Sequence, residues 1–202
     1  MRLNENHMRL NLNHPPMKYI AIFVATLLLV ACGQDELSEK PLSTTNKIII
    51  EDVSYGSDPL QKMDIFLPLN RTANSKAVIF IHGGGWVAGD KSETFNLQNY
   101  LCDNGFASAS INYRFADATK GINHVSLLSD IKEAIGYLHR KANYHGCSFS
   151  KLTLFGGSAG AHLSLLYAYS YDLDNNVEKV VSLAGPTNLT DSLFRTIPTV
   201  NE

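Results

Sequence analysis

An α/β fold, with a mostly parallel sheet covered by helices on both faces, is predicted by three observations. Short β-branched runs recur along the chain, amphipathic helical stretches alternate with the later runs, and glycine-rich turns fall where strands end. The runs occupy residues 48–53, 63–67, 77–81, 106–111, 152–155 and 177–183, each bounded by Gly, Pro, Asn or Asp. Between the later ones a helix is expected over 92–104, with Ser92 capping its start and Gly105 ending it in a left-handed turn. A second is expected over 126–143. Its apolar residues Leu127, Leu128, Ile131, Ala134, Ile135, Leu138 and Ala142 recur at steps of three and four, one buried stripe. A third opens after Ser158 and carries Leu163, Leu165, Leu166 and Tyr167. In open sheets of this kind chemistry collects at the carboxyl ends of the strands.

Composition is compatible with one globular body. The 202 residues are 45% hydrophobic and 18% charged, and the net charge of -2 is spread without a basic face for nucleic acid. A small-molecule partner is therefore expected. The first thirty-two residues differ from the rest: a basic start (Arg2, Arg9, Lys18) precedes an apolar run over 20–30. A bilayer span needs about 20 apolar residues, so this shorter run reads as a secretory signal. Leu29-Val30-Ala31-Cys32 resembles a bacterial lipoprotein signal box, which implies a lipid on Cys32 and anchorage to a membrane from outside the cytoplasm. Gly33 in place of an aspartate favours the outer membrane. Either Met1 or Met17 can head this leader. Residues 33–46 then form a polar tether, and the folded body covers 47–202. Export would put Cys102 and Cys147 in an oxidising compartment. Neither has metal or redox spacing, and two separate thiols are expected because disulfide geometry is demanding.

Two motifs fall at strand ends. Gly156-Gly157-Ser158-Ala159-Gly160 follows one strand and precedes a helix. A serine hydroxyl is a weak nucleophile, and a sharp strand-to-helix turn can expose it to a base and to an incoming carbonyl. The amides and dipole at the start of the next helix favour an anion there. His82-Gly83-Gly84-Gly85-Trp86 follows the strand at 77–81. Its glycines free the amides of Gly84 and Gly85 to join that of Ala159 around a developing oxyanion. A phosphate-cradling loop is the competing reading, but neither the dinucleotide nor the P-loop pattern is present. No metal or cofactor is implied.

Together with Gly89-Asp90-Lys91, Asn112-Tyr113-Arg114 and Ala184-Gly185-Pro186-Thr187, these motifs resemble the hormone-sensitive-lipase-like and feruloyl-esterase-like branches of the α/β-hydrolases, over residues 48–189. The resemblance implies that Ser158 attacks an ester carbonyl, that Gly84, Gly85 and Ala159 hold the oxyanion, and that His82 braces its loop. Asp130 fits the pattern on the helix before the nucleophile strand. In that fold an acid and then a histidine follow the serine. The only later histidine is His162, in the helix directly after Ser158, and it is expected to be a packed, hydrogen-bonded residue. Among the later acids, Asp191 is expected to cap a turn. The last strands and helices, with the triad acid and histidine, are thus expected to be missing. The reading that follows is a serine carboxylesterase for small or medium acyl esters. An arylformamidase-type amidase, a non-catalytic binding protein of the same shape and a decayed gene product remain as alternatives.

Overall fold

The computed structural model describes residues 39–190. The signal with Cys32, residues 33–38 of the tether, and Asp191 lie outside the described residues.

Six strands form one sheet: β1 (Ile48–Ser54), β2 (Lys62–Leu67), β3 (Ala77–Ile81), β4 (Ala107–Ile111), β5 (Leu152–Gly157) and β6 (Val177–Leu183). Their order is β1-β2-β4-β3-β5-β6. The four strands from β4 to β6 in that order run parallel, while β2 is antiparallel to both β1 and β4. The chain leaves β3 toward β4 on one side and leaves β5 toward β6 on the other, so the switch point lies between β3 and β5, where diverging loops open a crevice.

Side chains alternate across a strand, and the register turns that alternation into two faces. Ile50, Ile65, Ala109, Ile79, Leu154 and Val180 stand in one row across all six strands. That face packs on α2 (His124–Arg140) and α4 (Ala159–Ser170), through Leu128, Ile131 and Leu138 from the first and Leu163 and Tyr167 from the second. The opposite face meets α1 (Phe95–Asp103), where Phe66 packs edge-on against Phe95 at 5.3 Å. This second layer is more polar: Gln98 Nε2 donates to Ser108 Oγ at 3.3 Å, and Thr94 Oγ1 donates to Ser110 Oγ at 2.9 Å. Helices therefore lie on both faces.

Two helix starts differ from the expectation. Ser92 does not cap α1. Asp90 caps a 3-10 turn at Lys91–Thr94 instead, accepting from Ser92 N while Glu93 accepts from the Asp90 amide. The Asp-x-x-Glu pair satisfies two end amides reciprocally, which a lone serine cannot do. Likewise α2 begins at His124, capped by Asn123, and Ser126 completes that capping box rather than opening the helix. It stops at Arg140, and a short α3 (Ala142–His145) ends at Gly146 in the left-handed region. Gly105 also has positive φ at the end of α1. Cys102 and Cys147 are both buried free thiols. Burial pushes the Cys147 thiol up to about 12.

Among the described residues β6 pairs only with β5. Val181 and Leu183 are 42% and 61% exposed there.

Candidate active site

β5 runs out through Gly156 and Gly157 into Ser158, which has φ 50° and ψ -118° and precedes the first residue of α4. A non-glycine residue in this region is strained and persists only where its surroundings fix it. Here they do: Ser158 N donates to Leu183 O at 2.8 Å, and His162 N donates to Ser158 O at 3.1 Å. Ser158 is solvent-exposed at the sheet's carboxyl edge. The turn can be this tight because flanking side chains are absent. A Cβ on Gly156 would collide with the Gly160 carbonyl, and one on Gly160 would collide with Ile81 O and His82 O. The start of α4 thus rests directly on the end of β3.

That contact brings the loop leaving β3 to the serine. A Cβ on Gly83 would lie 3.4 Å from Ser158 Cβ. Beyond it the chain turns on three successive positive φ values, 101° at Gly84, 60° at Gly85 and 68° at Trp86. Gly84 O closes the turn by accepting from Ala88 N at 3.0 Å and Val87 N at 3.2 Å. Ala159 is buried at the first position of α4, where an amide has no partner within its own helix. Ser158, the glycine loop and the α4 N-terminus are therefore adjacent, although they are separated by more than seventy residues of sequence.

A polar scaffold holds the loop from behind. His82 is buried, lies flat on Tyr113 with ring centroids 4.3 Å apart, and its Nδ1 donates to Gly83 O at 2.8 Å. Burial lowers its pKa, against the raising effect of the Gly83 bond. Tyr113 Oη donates to His82 O at 3.1 Å. Further along, Lys91 Nζ lies 2.8 Å from Asp64 and 2.9 Å from Asp52. Burial works against the Lys91 charge, but these carboxylates outweigh it and raise its pKa. Asn112 links the arms, its Oδ1 accepting from Lys91 N at 2.6 Å and its Nδ2 donating to Asp90 Oδ2 at 2.9 Å. Burial disfavours the Asp90 carboxylate, yet hydrogen bonds from Ser92 and Asn112 prevail and hold it at about 2. Asp130, fully buried on α2, takes Arg114 NH2 at 2.6 Å and Arg114 N at 2.8 Å. This fixes the chain leaving β4.

Asp64 and Asp52 did not figure among the sequence candidates. The one available signal was a lone acid inside the apolar run Met63-Asp64-Ile65. His162 departs from the packed, hydrogen-bonded helix residue that was expected. It is half-buried, meets Trp86 edge-on at 5.4 Å, and its Nδ1 is shielded from solvent without a hydrogen-bond partner. The helix turn places its ring against Trp86 at the end of the glycine loop, an aromatic neighbour that accepts no ordinary hydrogen bond from Nδ1. Burial, with His124 nearby, lowers its pKa.

A parallel sheet with its switch point between β3 and β5, and a strained serine between β5 and the following helix, is the arrangement of an α/β-hydrolase. The BD-FAE family model matches residues 63–196, and the chain belongs to that family. Curated relatives are carboxylic ester hydrolases and an amidase. Esterase LipC of Mycobacterium tuberculosis is 30% identical over 146 residues, 66% of this chain and 36% of that protein. Isoprenylcysteine alpha-carbonyl methylesterase ICME of Arabidopsis thaliana is 27% identical over 120 residues, 59% of this chain and 27% of that one. Kynurenine formamidase of Danio rerio is 26% identical over 152 residues, 73% of this chain and 49% of the relative. The chain thus spans from about a quarter to half the length of these relatives. Among solved structures, esterase B from Lactobacillus rhamnosis shares the fold at TM-score 0.54 and 24% identity, covering 84% of this chain and 57% of that one. A truncated carbohydrate esterase from gut microbiota is 28% identical at TM-score 0.52, covering 64% of this chain and 46% of that one.

Proposed function

We propose that this chain carries the nucleophile and oxyanion half of a serine carboxylesterase acting on small or medium acyl esters. The observation that carries the reading is the exposed Ser158, held at positive φ against Gly83. In this mechanism Ser158 Oγ attacks the ester carbonyl carbon and passes its proton to a base. The carbonyl oxygen becomes an oxyanion facing the amides of Gly84, Gly85 and Ala159, where preorganised donors stabilise charge by a few kcal/mol each, about 3 in measured cases. Collapse expels the alcohol, which takes a proton from the base, and water then releases the acid from the serine. His162 shares the first turn of α4 with Ser158 and is not that base. By this reading the acid and base come from chain outside this sequence. We also propose that the protein is exported and anchored by lipid at Cys32, toward the outer membrane.

The test is chemical. A fluorophosphonate should label Ser158 in the protein carrying its complete natural sequence, and Ser158→Ala should abolish both labelling and ester hydrolysis. Labelling that persists in Ser158→Ala overturns the assignment. An amidase reading is favoured by one observation, since the formamidase covers more of this chain than the two curated esterases named above, 73% against 66% and 59%. Comparing turnover of an aryl formamide with that of a short-chain aryl ester separates the two.

A further inference from the structure

The loop that carries Gly84 and Gly85 continues through Trp86 and Val87 into one wall of an open cavity of about 590 Å³, whose other walls come from residues 116–118 and 121–124, Leu127 of α2, His162 and Leu166 of α4, and Leu189. That volume falls within the roughly 300–1,000 Å³ of ordinary small-molecule sites and far exceeds what an acetyl group fills. Its position relative to the serine follows from covalent geometry. Trp86 stands three residues beyond Gly83, which abuts Ser158, and His162 lies one helical turn beyond Ser158 on α4. Ser158 itself does not line the cavity, so the lining is within reach of a group several bonds long attached at the serine rather than of a short one.

The lining states what chemistry would occupy it. Trp86, Ile122, Leu127 and Leu166 make it chiefly apolar. The one carboxylate on the rim, Asp117, is already matched by Lys120 Nζ at 3.1 Å and by Thr119 N at 3.0 Å. Among the described residues the cavity thus holds no unmatched carboxylate. Among the described lining residues, His162 contributes the solvent-shielded nitrogen without a hydrogen-bond partner, Nδ1, on a ring held edge-on to Trp86.

We propose that this cavity holds the larger arm of the ester, a neutral and chiefly apolar group well beyond butyl in length, with His162 as the positioning residue for a polar atom carried on it. The inference rests on the Ser158 reading, and its tests separate from that reading. In the complete protein, an octyl fluorophosphonate should label Ser158 faster than a methyl one. Leu166→Phe should cut that octyl-to-methyl ratio about ten-fold, the scale on which pockets discriminate a few methylenes. Val87→Phe, at the exposed rim, should do the same without touching the core. A ratio unchanged in both folded variants overturns the proposal.

The sole tryptophan of the sequence lines the cavity, so binding can also be read without catalysis. In Ser158→Ala, N-methyloctanamide should shift Trp86 emission saturably at concentrations where N-methylacetamide does not. Its 8-hydroxy derivative should lose its advantage over the parent amide in His162→Gln. No emission change with either long amide overturns the cavity assignment even if Ser158 is labelled. A saturable change with no labelling of the wild type removes the esterase reading and leaves the cavity as a binding site.

Discussion

The imidazole of His82 lies flat on the phenol ring of Tyr113, planes 13° from parallel, and the Tyr113 hydroxyl returns to the His82 carbonyl oxygen. One aromatic pair thus ties the first residue after β3 to the chain just beyond the neighbouring β4. Tyr113→Phe removes a buried neutral hydrogen bond, and the expected loss is about 1 kcal/mol. Tyr113→Ala also removes the packed ring and should cost about 4 kcal/mol. Urea unfolding of both variants checks this. Equal midpoints for the two would mean that the stack contributes nothing to holding the loop.

Lys91 and Asp64 form a nearly dry ion pair between the loop's outgoing arm and β2. Removing one partner leaves the other buried charge uncompensated, so Lys91→Met or Asp64→Asn should each cost about 3 kcal/mol. Removing both is cheaper than the sum. Lys91→Met with Asp64→Leu should recover most of the loss in a double-mutant cycle. Simple additivity of the two single changes would show that they do not act as a pair.

The strands were legible because each is a short apolar run with a turn signal at both ends. Residues 77–81 coincide with β3, and 177–183 with β6. The two chemical motifs were legible because glycine has few reasons to cluster at strand ends. Helix starts were less so: Asp90 and Asn123 both lie outside the apolar stripe that periodicity detects, and their capping boxes depend on partners three residues away. The Asp64 and Lys91 pairing was hidden for a different reason. Its members are 27 residues apart, and they meet because β2 sets Asp64 beside Ser110 of β4, whose hydroxyl donates to the Lys91 carbonyl. The orphaned nitrogen of His162 is likewise a tertiary fact, since helical spacing alone cannot say what a ring edge lacks.

Gly160 is where α4 comes closest to β3, with no room for a methyl group against the carbonyls of Ile81 and His82. These obstacles are backbone, so relief requires the helix to move away from the sheet. Gly160→Ala should destabilise by about 2 kcal/mol, as overpacking does. It should also slow fluorophosphonate labelling of Ser158 by more than it alters the melt, because Ser158 and Ala159 move with the helix. Labelling at the wild-type rate would show that this close approach does not set the serine's position.

Acid should weaken the fold in steps. His82 and His162 are held below the ordinary 6.5, first of all by burial, so the unfolded chain takes up their protons before the folded one does. Their stabilisation is complete above 6.5 and falls as pH drops below it. Asp90 acts at lower pH, its contribution present above the ordinary 3.8 and lost as pH falls toward about 2. A thermal melt series should therefore decline from pH 6.5 downward and decline again below about 4. His162→Gln should flatten the first step and also remove the acid quenching of Trp86 emission, since the two rings touch. A Trp86 titration identical in His162→Gln would assign the quenching to another group.

The face of the sheet that meets α1 is only partly covered. Phe80, Phe155 and Val181 stand side by side in register, Phe80 and Phe155 with ring centroids 5.2 Å apart, but Phe155 is half-buried and Val181 largely exposed. β6 also has a free edge among the described residues, and an unpaired edge with apolar side chains recruits other strands. A polypeptide of residues 47–202 should therefore self-associate, giving a concentration-dependent light-scattering signal and a broad melt. Val181→Lys places a charge in the row, and Leu183→Lys adds a second near the end of the strand. Together they should raise the soluble fraction without altering the far-ultraviolet circular dichroism, because neither residue is buried. A sharp melt and a monodisperse monomer before any substitution would mean that this face and edge are already covered, and the row from Phe80 to Val181 would lose its status as an open surface.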